Sequence, residues 1–386
     1  MAIRKLSSRY MGWAALSIAT RALPSLKRAM PLMRRVVPLL QGGRVEIVTE
    51  QQPVPLSPEE AEYARLLPDP PPPVVERSIA LVELSNATVL GNTGAVMDEA
   101  RDCVFQSRYS AARYKPGIAS YHDFRAMPSR LIDKPDANYF HMVGEHRGHR
   151  HYFHFLFDRL PRIHYLLSRF AVGRERIVVL MNQSPPPFQL EIYGFLASRY
   201  PNLEFVTVPE RERWRLPKLY LIDENQPVRR TLLSADTVKF LRDLVYDGFG
   251  IADAQRSRRL YISRADTPKR RIINEDEIWP LFAAHGFEKI EAGKLSFRDQ
   301  VMAFAEAEAI AGPHGAGFAN MLWAPQDARI LEISNREKVK NTYFLLAKSL
   351  GQRHHALIGS EGDRREWFRV DPVAVEQALT PIFTSP

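Results

Sequence analysis

Residues 309–334 read AIAGPHGAGFANMLWAPQDARILEIS, an apolar run typical of a strand that leads into a glycine-rich turn. Gly312, Gly315 and Gly317 allow positive φ and the close approach of a ligand, and free N–H groups at the start of a following helix favour an anion. The turn has neither the lysine of a Walker loop nor the GxGxxG spacing of a dinucleotide fingerprint, although it belongs to the same physical class. The stretch predicts a phosphate-binding turn; a structural strand-to-helix turn with His314 capping or packed is the alternative.

The formal net charge of +9 comes from the start of the chain. The basic residues that precede Glu46, the first acidic residue, account for the whole excess. They are Arg4, Lys5, Arg9, Arg21, Lys27, Arg28, Arg34, Arg35 and Arg44. The rest of the chain is balanced and does not imply a general DNA-binding surface. Because apolar residues alternate with these charges, the segment predicts either a helix on an anionic membrane surface or a disordered basic tail.

The chain has one cysteine, Cys103, which excludes an intramolecular disulfide and favours a reducing compartment. The run MGWAALSIATRAL is interrupted by Arg21 and is too short for a membrane span or a clean signal-peptide core. We therefore expect a cytoplasmic protein that could touch the inner face of the membrane through residues 1–45.

A proline-dense stretch follows the basic segment. Residues 50–77 include PVPLSP and PDPPPP, which predict a stiff spacer without helix or central strand, so the folded body is expected to begin near Ser78. Beyond it, strand-like and helix-like runs alternate, which indicates βαβ units on largely parallel sheets. ENQPVRR, residues 224–230, is a plausible linker. The sequence predicts an α/β fold of two Rossmann-like halves that face a cleft.

A helix with a polar stripe is predicted over residues 146–170, HRGHRHYFHFLFDRLPRIHYLLSRF. Apolar residues recur there at helical spacing, and the opposite face carries polar residues over about three turns. The stripe consists of His151, His154, Asp158 and Arg162. His154 and Asp158 are candidates for a general base and its orienting partner. The alternatives are metal binding by His146, His149, His151 and His154, or a surface ion pair between Asp158 and Arg162.

Two charged positions in the second half are expected at strand ends, where open α/β sheets bind ligands. Arg264 follows the strand LYIS, with Arg270 and Arg271 in the next turn, and a guanidinium there can bind a diphosphate. Glu332 ends the strand LEI, where a carboxylate can accept hydrogen bonds from ribose hydroxyls. Solvated surface arginines and a strand-end charge are the alternative interpretations.

Five segments form an ordered series of motifs. They are YFHFLFDRLPRIHYL, YISR, RRIINEDE, LSFRDQVMAFAEAEAIAGPHGAGFANMLWAP and LEI. In order and spacing the series resembles glycosyltransferase family 61, which includes bacterial capsular-polysaccharide proteins and eukaryotic xylosyl and N-acetylglucosaminyl transferases. The resemblance covers roughly residues 80–360. Family members often have tryptophan after the helix histidine, where this chain has Phe155, so the acceptor-side pocket departs from the family pattern.

The resemblance implies a GT-B architecture and inverting transfer from a nucleoside-diphosphate sugar, with no required cofactor or metal. By position it implies catalytic roles for His154 and Asp158. On the donor side it implies Arg264, Arg271, Asn274, His314, Gly315, Ala316, Gly317, Asn320 and Glu332.

The sequence and the resemblance together predict three parts: a basic, proline-rich extension (residues 1–77), an acceptor-side α/β domain (78–230) and a nucleotide-sugar-binding α/β domain (231–386). The expected activity is sugar transfer, from a UDP-sugar as the favoured donor, to a glycan or lipid-linked acceptor in surface polysaccharide biosynthesis. The alternatives are a non-catalytic nucleotide-sugar- or polysaccharide-binding component of that pathway and a histidine-dependent metal hydrolase. Nucleic acid is not expected as a partner.

Overall fold

The structure is a computed structural model of the 386-residue chain. It describes residues 36–38, 44–49, 53–65, 75–76, 79–91, 94–97, 103–105, 128–132, 137–144, 150–170, 175–224, 231–251 and 256–384. The basic segment 1–35, the two histidines His146 and His149, and residues 225–230 of the expected linker lie outside this part. No helix in the described residues is long and apolar enough to cross a membrane.

The helices of the described part are α1 (Pro58–Arg65), α2 (Tyr152–Asp158), α3 (Leu160–Phe170), α4 (Pro187–Arg199), α5 (Ala235–Phe249), α6 (Glu275–Ala284), α7 (Phe297–Ala305), α8 (Thr342–Leu350) and α9 (Pro372–Thr384). Short 3-10 helices cover Ala292–Lys294, Ala316–Trp323 and Arg336–Lys338. Local signals set several ends. The sequence predicts Ser234 and Ser296 as helix caps, and both cap their helices, α5 and α7, through their side chains. Of the two glycines predicted to end α5, Gly248 and Gly250, it is Gly250 that ends it, in the left-handed conformation.

The strands of the first half are β1 (Val36–Pro38), β2 (Arg44–Thr49), β3 (Val75–Glu76), β4 (Ile79–Leu90), β5 (Val96–Met97), β6 (Cys103–Phe105), β7 (Ser129–Leu131), β8 (Asn138–His141), β9 (Ile177–Asn182), β10 (Leu203–Val208) and β11 (Arg213–Glu224). Those of the second half are β12 (Thr231–Leu232), β13 (Arg258–Ile262), β14 (Phe287–Ile290), β15 (Ala307–Pro313), β16 (Arg329–Ser334) and β17 (Arg353–Ile358).

The first sheet is mixed. Among the described residues its ten strands follow the order β1-β6-β5-β4-β11-β8-β9-β10, with β2 added against β4 and β7 against β11. Strands β8, β9 and β10 pair in parallel, as the alternating pattern predicts, whereas β4 pairs antiparallel with β2, β5 and β11. The sequence of residues 78–98 predicts short strands joined by turns. The structure has there the long strand β4, which continues through Asn86 at a φ of 51°, and the two-residue strand β5.

The second sheet is fully parallel and has the order β14-β13-β15-β16-β17. The chain passes to one side from β13 to β14 and to the other side from β15 onward, so the direction of winding reverses between β13 and β15. Open α/β sheets bind ligands at such a reversal, beyond the carboxyl ends of the strands. Arg264 follows the end of β13 and His314 follows the end of β15, so both lie at this point.

The proline-dense stretch is not a plain spacer. Residues Pro58–Arg65 form α1, which begins with a capping box in which the Ser57 amide donates to Glu60 at 2.7 Å and the Glu60 amide donates to Ser57 Oγ at 3.2 Å. Lys348 of α8 donates to Glu60 Oε2 at 2.6 Å, and Val54 packs against a small apolar cluster that includes Phe344 and Leu345 of α8. Strand β2, which precedes this segment, pairs with β4. Ordered structure thus begins before the expected start near Ser78.

The helix expected over residues 146–170 is divided into α2 and α3 at Arg159. Its predicted apolar positions Phe153, Phe157, Leu160, Ile163 and Leu167 are all buried, as the spacing indicates. They belong to a large apolar cluster that also contains residues of β13, β15 and the 3-10 helix Ala316–Trp323. Helices α2 and α3 of the first half therefore pack directly against elements of the second sheet.

Candidate active site

The glycine turn after β15 depends on close packing against β13. Gly312 has a φ of 144°, and a Cβ atom there would lie 2.5 Å from the Ile262 carbonyl oxygen. At Gly315 a Cβ atom would lie 1.9 Å from Nη1 of Arg264, although the backbone itself is extended. The first glycine is needed for its conformation and the second for space, because the Arg264 guanidinium lies against the turn. The turn leads into a 3-10 helix that opens at Ala316 and Gly317.

Arg264 is held at the reversal point of the second sheet. Its Nε and Nη2 atoms both donate to the Lys269 carbonyl at 3.2 Å, which fixes the guanidinium beside Gly315. Burial lowers the pKa of Arg264, and the neighbouring positive charge of Arg270 lowers it further. Two guanidinium groups are therefore concentrated here, which is the arrangement that an anionic ligand would stabilise.

The turn after Arg264 places its two adjacent arginines in different surroundings. Arg270 has a left-handed backbone, with a φ of 59°, and its Nε atom lies 3.5 Å from Oε2 of Glu366. It lies close enough to act electrostatically on His151, Arg264, His314 and Tyr343. Arg271, the predicted donor ligand, instead lies over the ring of Trp367 at 5.2 Å. The spacing of the sequence motif could not show which of the two faces the site.

His314 and Glu332 form a buried pair at the turn. His314 Nδ1 donates to Glu332 Oε1, and His354 Nε2 donates to Glu332 Oε2 at 2.9 Å. Glu332 is 1% exposed, so both of its oxygens are engaged inside the protein. Burial raises the pKa of Glu332, but the two histidines outweigh it and hold the pKa at about 2. Neither carboxylate oxygen of Glu332 is exposed, so neither can make the expected contact with a ribose. In this geometry the carboxylate orients His314.

Two asparagines expected at the donor are also used internally. Asn274 donates to the Val370 carbonyl at 2.8 Å and accepts from the Val370 amide at 3.0 Å, which ties the arginine turn to the C-terminal segment. Asn320 is fully buried and donates to Gln300 Oε1 at 2.8 Å and to the Gly317 carbonyl at 3.1 Å. Both side chains shape the site without facing it.

The polar stripe of α2 is preserved from His151 to Asp158. His154 Nδ1 lies 2.7 Å from Asp158 Oδ2, and the two side chains are 37% and 27% exposed. The His151 ring lies 4.6 Å from the ring of His154. Desolvation lowers the pKa of His151 to about 4, with His154 and Arg270 acting in the same direction. The stripe does not continue to Arg162, because the chain leaves helical geometry at Arg159.

Helix α2 is joined to the glycine turn by a chain of hydrogen bonds. The Tyr152 hydroxyl donates to Asn320 Oδ1 at 2.6 Å and accepts from Trp323 Nε1 at 3.2 Å. The Tyr343 hydroxyl donates to the Gly315 carbonyl, and its ring lies 5.8 Å from that of Phe153. These contacts bring the predicted base on α2 to the predicted anion site.

Sequence reasoning did not single out four residues of this region, Tyr152, Lys340, Tyr343 and His354, and it named Arg270 only as a neighbour of Arg271. Arg270 stands beside Arg271 and was visible as part of a basic turn. The others carry no local signal, since each acquires its position through contacts between distant segments. For metal binding, no group of three His, Cys, Asp or Glu side chains within the described ranges is arranged to hold an ion.

Comparison with known proteins bears on the same region. Residues 152–331, from the start of α2 to β16, match the family model described as Glycosyltransferase 61. The chain is 30% identical over 128 residues to a beta-1,2-xylosyltransferase of Arabidopsis thaliana, an alignment that covers 30% of this chain and 23% of that protein. It is 34% identical over 103 residues to an EGF domain-specific O-linked N-acetylglucosamine transferase of Drosophila melanogaster, covering 26% and 19%.

The aligned segments thus span about a quarter or less of these two relatives. The family model and both relatives agree that this segment is similar to glycosyltransferases of family 61.

Proposed function

We propose that this chain is an inverting glycosyltransferase that moves a sugar from a nucleoside-diphosphate donor, with a UDP-sugar as the favoured donor, to a hydroxyl of a glycan or lipid-linked acceptor. The observation that carries the proposal is the meeting of two groups from separate halves: His154 and Asp158 on α2, and Arg264, Arg270 and His314 at the reversal point of the second sheet. The Tyr343 ring lies 5.8 Å from that of Phe153 on α2 and 5.0 Å from that of His314, which supports one shared site for the two groups.

On the donor side, the diphosphate would lie at the glycine turn. Arg264 and Arg270 supply positive charge, and the amides of Ala316 and Gly317 open the 3-10 helix toward an anion. His314 contributes a ring nitrogen, held in place by Glu332. Fixed charges of this kind stabilise the negative charge that develops on a departing diphosphate, and this stabilisation usually contributes most of the rate enhancement in such reactions.

On the acceptor side, we assign His154 as the general base and Asp158 as its orienting partner. Asp158 lies 2.7 Å from His154 Nδ1, which leaves Nε2 of the same ring for the acceptor hydroxyl. In the reaction the base takes the hydroxyl proton, the acceptor oxygen forms a bond to the anomeric carbon, and the bond from that carbon to the diphosphate oxygen breaks with its electron pair. One displacement inverts the anomeric centre.

The remaining features of the proposal rest on the family resemblance and the sequence. They are a GT-B arrangement of the two halves, no requirement for a metal or other cofactor, a cytoplasmic location, a role in surface polysaccharide biosynthesis, and peripheral contact of residues 1–45 with the membrane. The basic composition of that segment supports the last of these.

A test of the activity begins with calorimetric titration of the full chain by UDP and GDP, with and without EDTA. We expect one nucleotide, UDP in the first instance, to bind regardless of EDTA. A screen of the corresponding nucleotide sugars should then show slow hydrolysis that an acceptor accelerates. Absence of nucleotide binding would contradict the proposal, and tight binding without turnover on any acceptor would identify a binding component instead.

A further inference from the structure

The His314–Glu332–His354 array places an ionised carboxylate behind the ring that meets the turn. Glu332 is 1% exposed and His314 is 8% exposed. Nδ1 of His314 donates to Glu332, so the ring nitrogen that can meet a ligand is Nε2. A neutral ring in this tautomer offers a lone pair at Nε2, which would repel a phosphate oxygen. A protonated ring offers an N–H donor there instead.

The charges around His314 decide which form is present in the free protein. Burial lowers the pKa of His314; Glu332 opposes this, and Arg270 and Lys340 add to it. Tyr343 faces the ring at 5.0 Å between centroids, and its own pKa is raised by burial, so it contributes no charge near neutral pH. His354 reaches the array through the second oxygen of Glu332. The free site therefore favours neutral His314 at neutral pH.

A bound diphosphate reverses these influences. It neutralises the two cations that disfavour a charge on His314, and it adds negative charge on the side opposite Glu332. The imidazolium ring would then lie between two anions, with an N–H group directed at each. A charged group favoured in this way by opposite charges on both sides has its pKa raised.

We propose that binding of the donor diphosphate at the glycine turn is coupled to uptake of a proton by His314, which then donates from Nε2 to a diphosphate oxygen. This inference rests on the proposed function. The proton comes from solvent on binding and returns to solvent when the nucleoside diphosphate leaves, so the protein is unchanged over a cycle. Glu332 acts through His314 and is a positioning residue.

The expected pH dependence follows from the sign of the change. Because the pKa of His314 is higher with ligand bound than without it, affinity is greatest below the pKa of the free protein and falls as pH rises toward that of the complex. Between the two values the affinity changes by about tenfold per pH unit.

The experiment is isothermal titration of the full chain with UDP-glucose, without acceptor, in buffers that differ in ionisation enthalpy. UDP-glucose is chosen because its diphosphate is esterified at both ends and has no proton to exchange near neutral pH. The dependence of the observed enthalpy on the buffer gives the number of protons taken up. For the unmodified protein near pH 7 we expect between about half and one proton.

Variants identify the group. His314→Asn should remove the proton uptake, and Glu332→Gln should reduce it, with folding monitored by circular dichroism. His164→Asn, on α3 and outside the site, is the matched control and should keep the full uptake. His151 is also near Arg270, so His151→Asn is included: loss of uptake there with retention in His314→Asn would overturn the assignment.

The outcomes separate the two proposals. UDP-glucose binding with no proton uptake by the unmodified protein would contradict this inference and leave the proposed transferase standing. Absence of binding by both UDP-glucose and UDP would contradict the proposed function itself. If His314→Asn no longer binds UDP-glucose, the uptake by the unmodified, His151→Asn and Glu332→Gln proteins still decides the question.

Discussion

The Tyr152 hydroxyl donates to Asn320 Oδ1 at 2.6 Å, across a sequence separation of 168 residues. Tyr152 lies two positions before His154 on α2, and Asn320 lies in the 3-10 helix that leaves the glycine turn. The same hydroxyl accepts from Trp323 Nε1 at 3.2 Å. One phenol thus fixes the helix of the proposed base relative to the turn of the proposed donor site.

Tyr152→Phe should lower turnover by about tenfold, because a buried amide oxygen loses its donor and the helix is no longer held against the turn; such a loss costs about 1–3 kcal/mol. The affinity for UDP should change little, since no donor ligand is removed. The matched control is Tyr246→Phe. Tyr246 lies on α5, and its hydroxyl donates to the Trp323 carbonyl. Equal losses of turnover in both variants would argue against a specific role for Tyr152.

His154→Ala should reduce turnover by about 10²–10⁴-fold, the usual contribution of a general base, with UDP affinity preserved. Asp158→Asn should also reduce turnover, but less, since His154 keeps its ring nitrogen and loses only its orientation. Steady-state rates and UDP titrations on the same preparations separate the two effects. If Asp158→Asn is the more damaging change, the carboxylate is the base and the assignment reverses.

Arg270→Gln should weaken UDP binding by about 10- to 100-fold, because a charge-assisted hydrogen bond to a phosphate contributes roughly 1.5–3 kcal/mol. Arg271→Gln is the natural comparison. It removes the same charge one residue further along the chain, where the guanidinium contacts Trp367. Binding by Arg271→Gln should remain within about threefold of the unmodified protein, because the half-buried Arg271 guanidinium packs on Trp367. The opposite ranking would restore the role that the sequence motif suggested.

Gly315→Ala should weaken UDP binding about as much as Arg264→Ala, because the added Cβ would lie 1.9 Å from Nη1 of Arg264 and must displace it. The double variant should show little further loss, since both changes remove the same interaction. Gly194 is a useful contrast: it lies inside α4 with no atom within 4 Å of an added Cβ, and Gly194→Ala should stabilise the fold by about 0.5–1 kcal/mol. Additive losses in the double variant would separate Gly315 from Arg264.

Glu332→Gln should change how the stability of the protein depends on pH in the acid range. Burial raises the pKa of Glu332 but the two histidines hold it at about 2, against 4.5 for an unperturbed glutamate. A carboxyl whose pKa is depressed on folding stabilises the protein above the unfolded value, and this contribution is lost as pH falls from 4.5 toward 2. The variant should therefore be less stable at pH 7 and lose less stability over that interval.

Denaturant unfolding at several pH values checks this. Glu288→Gln provides the control, because Glu288 also has a lowered pKa from Arg258 but is exposed, so its ion pair should contribute at most about 1 kcal/mol. If the two substitutions change the free energy of unfolding equally at each pH, the buried array contributes no more to stability than an exposed ion pair.

Features encoded in a few adjacent residues could be predicted from the sequence. The caps at Ser234 and Ser296 and the buried positions of α2 and α3 follow from local spacing and side-chain chemistry, and the structure confirms them. The capping box at Ser57 and Glu60 is equally local, but the prediction for this stretch followed its prolines and was a spacer without helix. Pro58 stands at the first position of α1, where proline is tolerated.

Features that depend on distant segments could not be predicted in this way. The different positions of Arg270 and Arg271 depend on the left-handed φ of Arg270, which cannot be predicted from the residue type. The burial of Glu332 depends on His354, which reaches it from the neighbouring strand β17. A strand-end glutamate looks the same in sequence whether it faces a ligand or a pair of histidines.

The segment from β2 to α1 has a practical consequence for anyone preparing shortened forms of this protein. A truncation at Ser78, where the composition changes, would remove the strand that pairs with β4 and the helix whose Glu60 bonds Lys348. It would also uncover the apolar cluster around Phe344 and Leu345, against which Val54 and Leu56 pack. Newly exposed strand edges and apolar faces promote aggregation. A shortened version intended for crystallisation should therefore start upstream of Val36, so that β1 is kept as well.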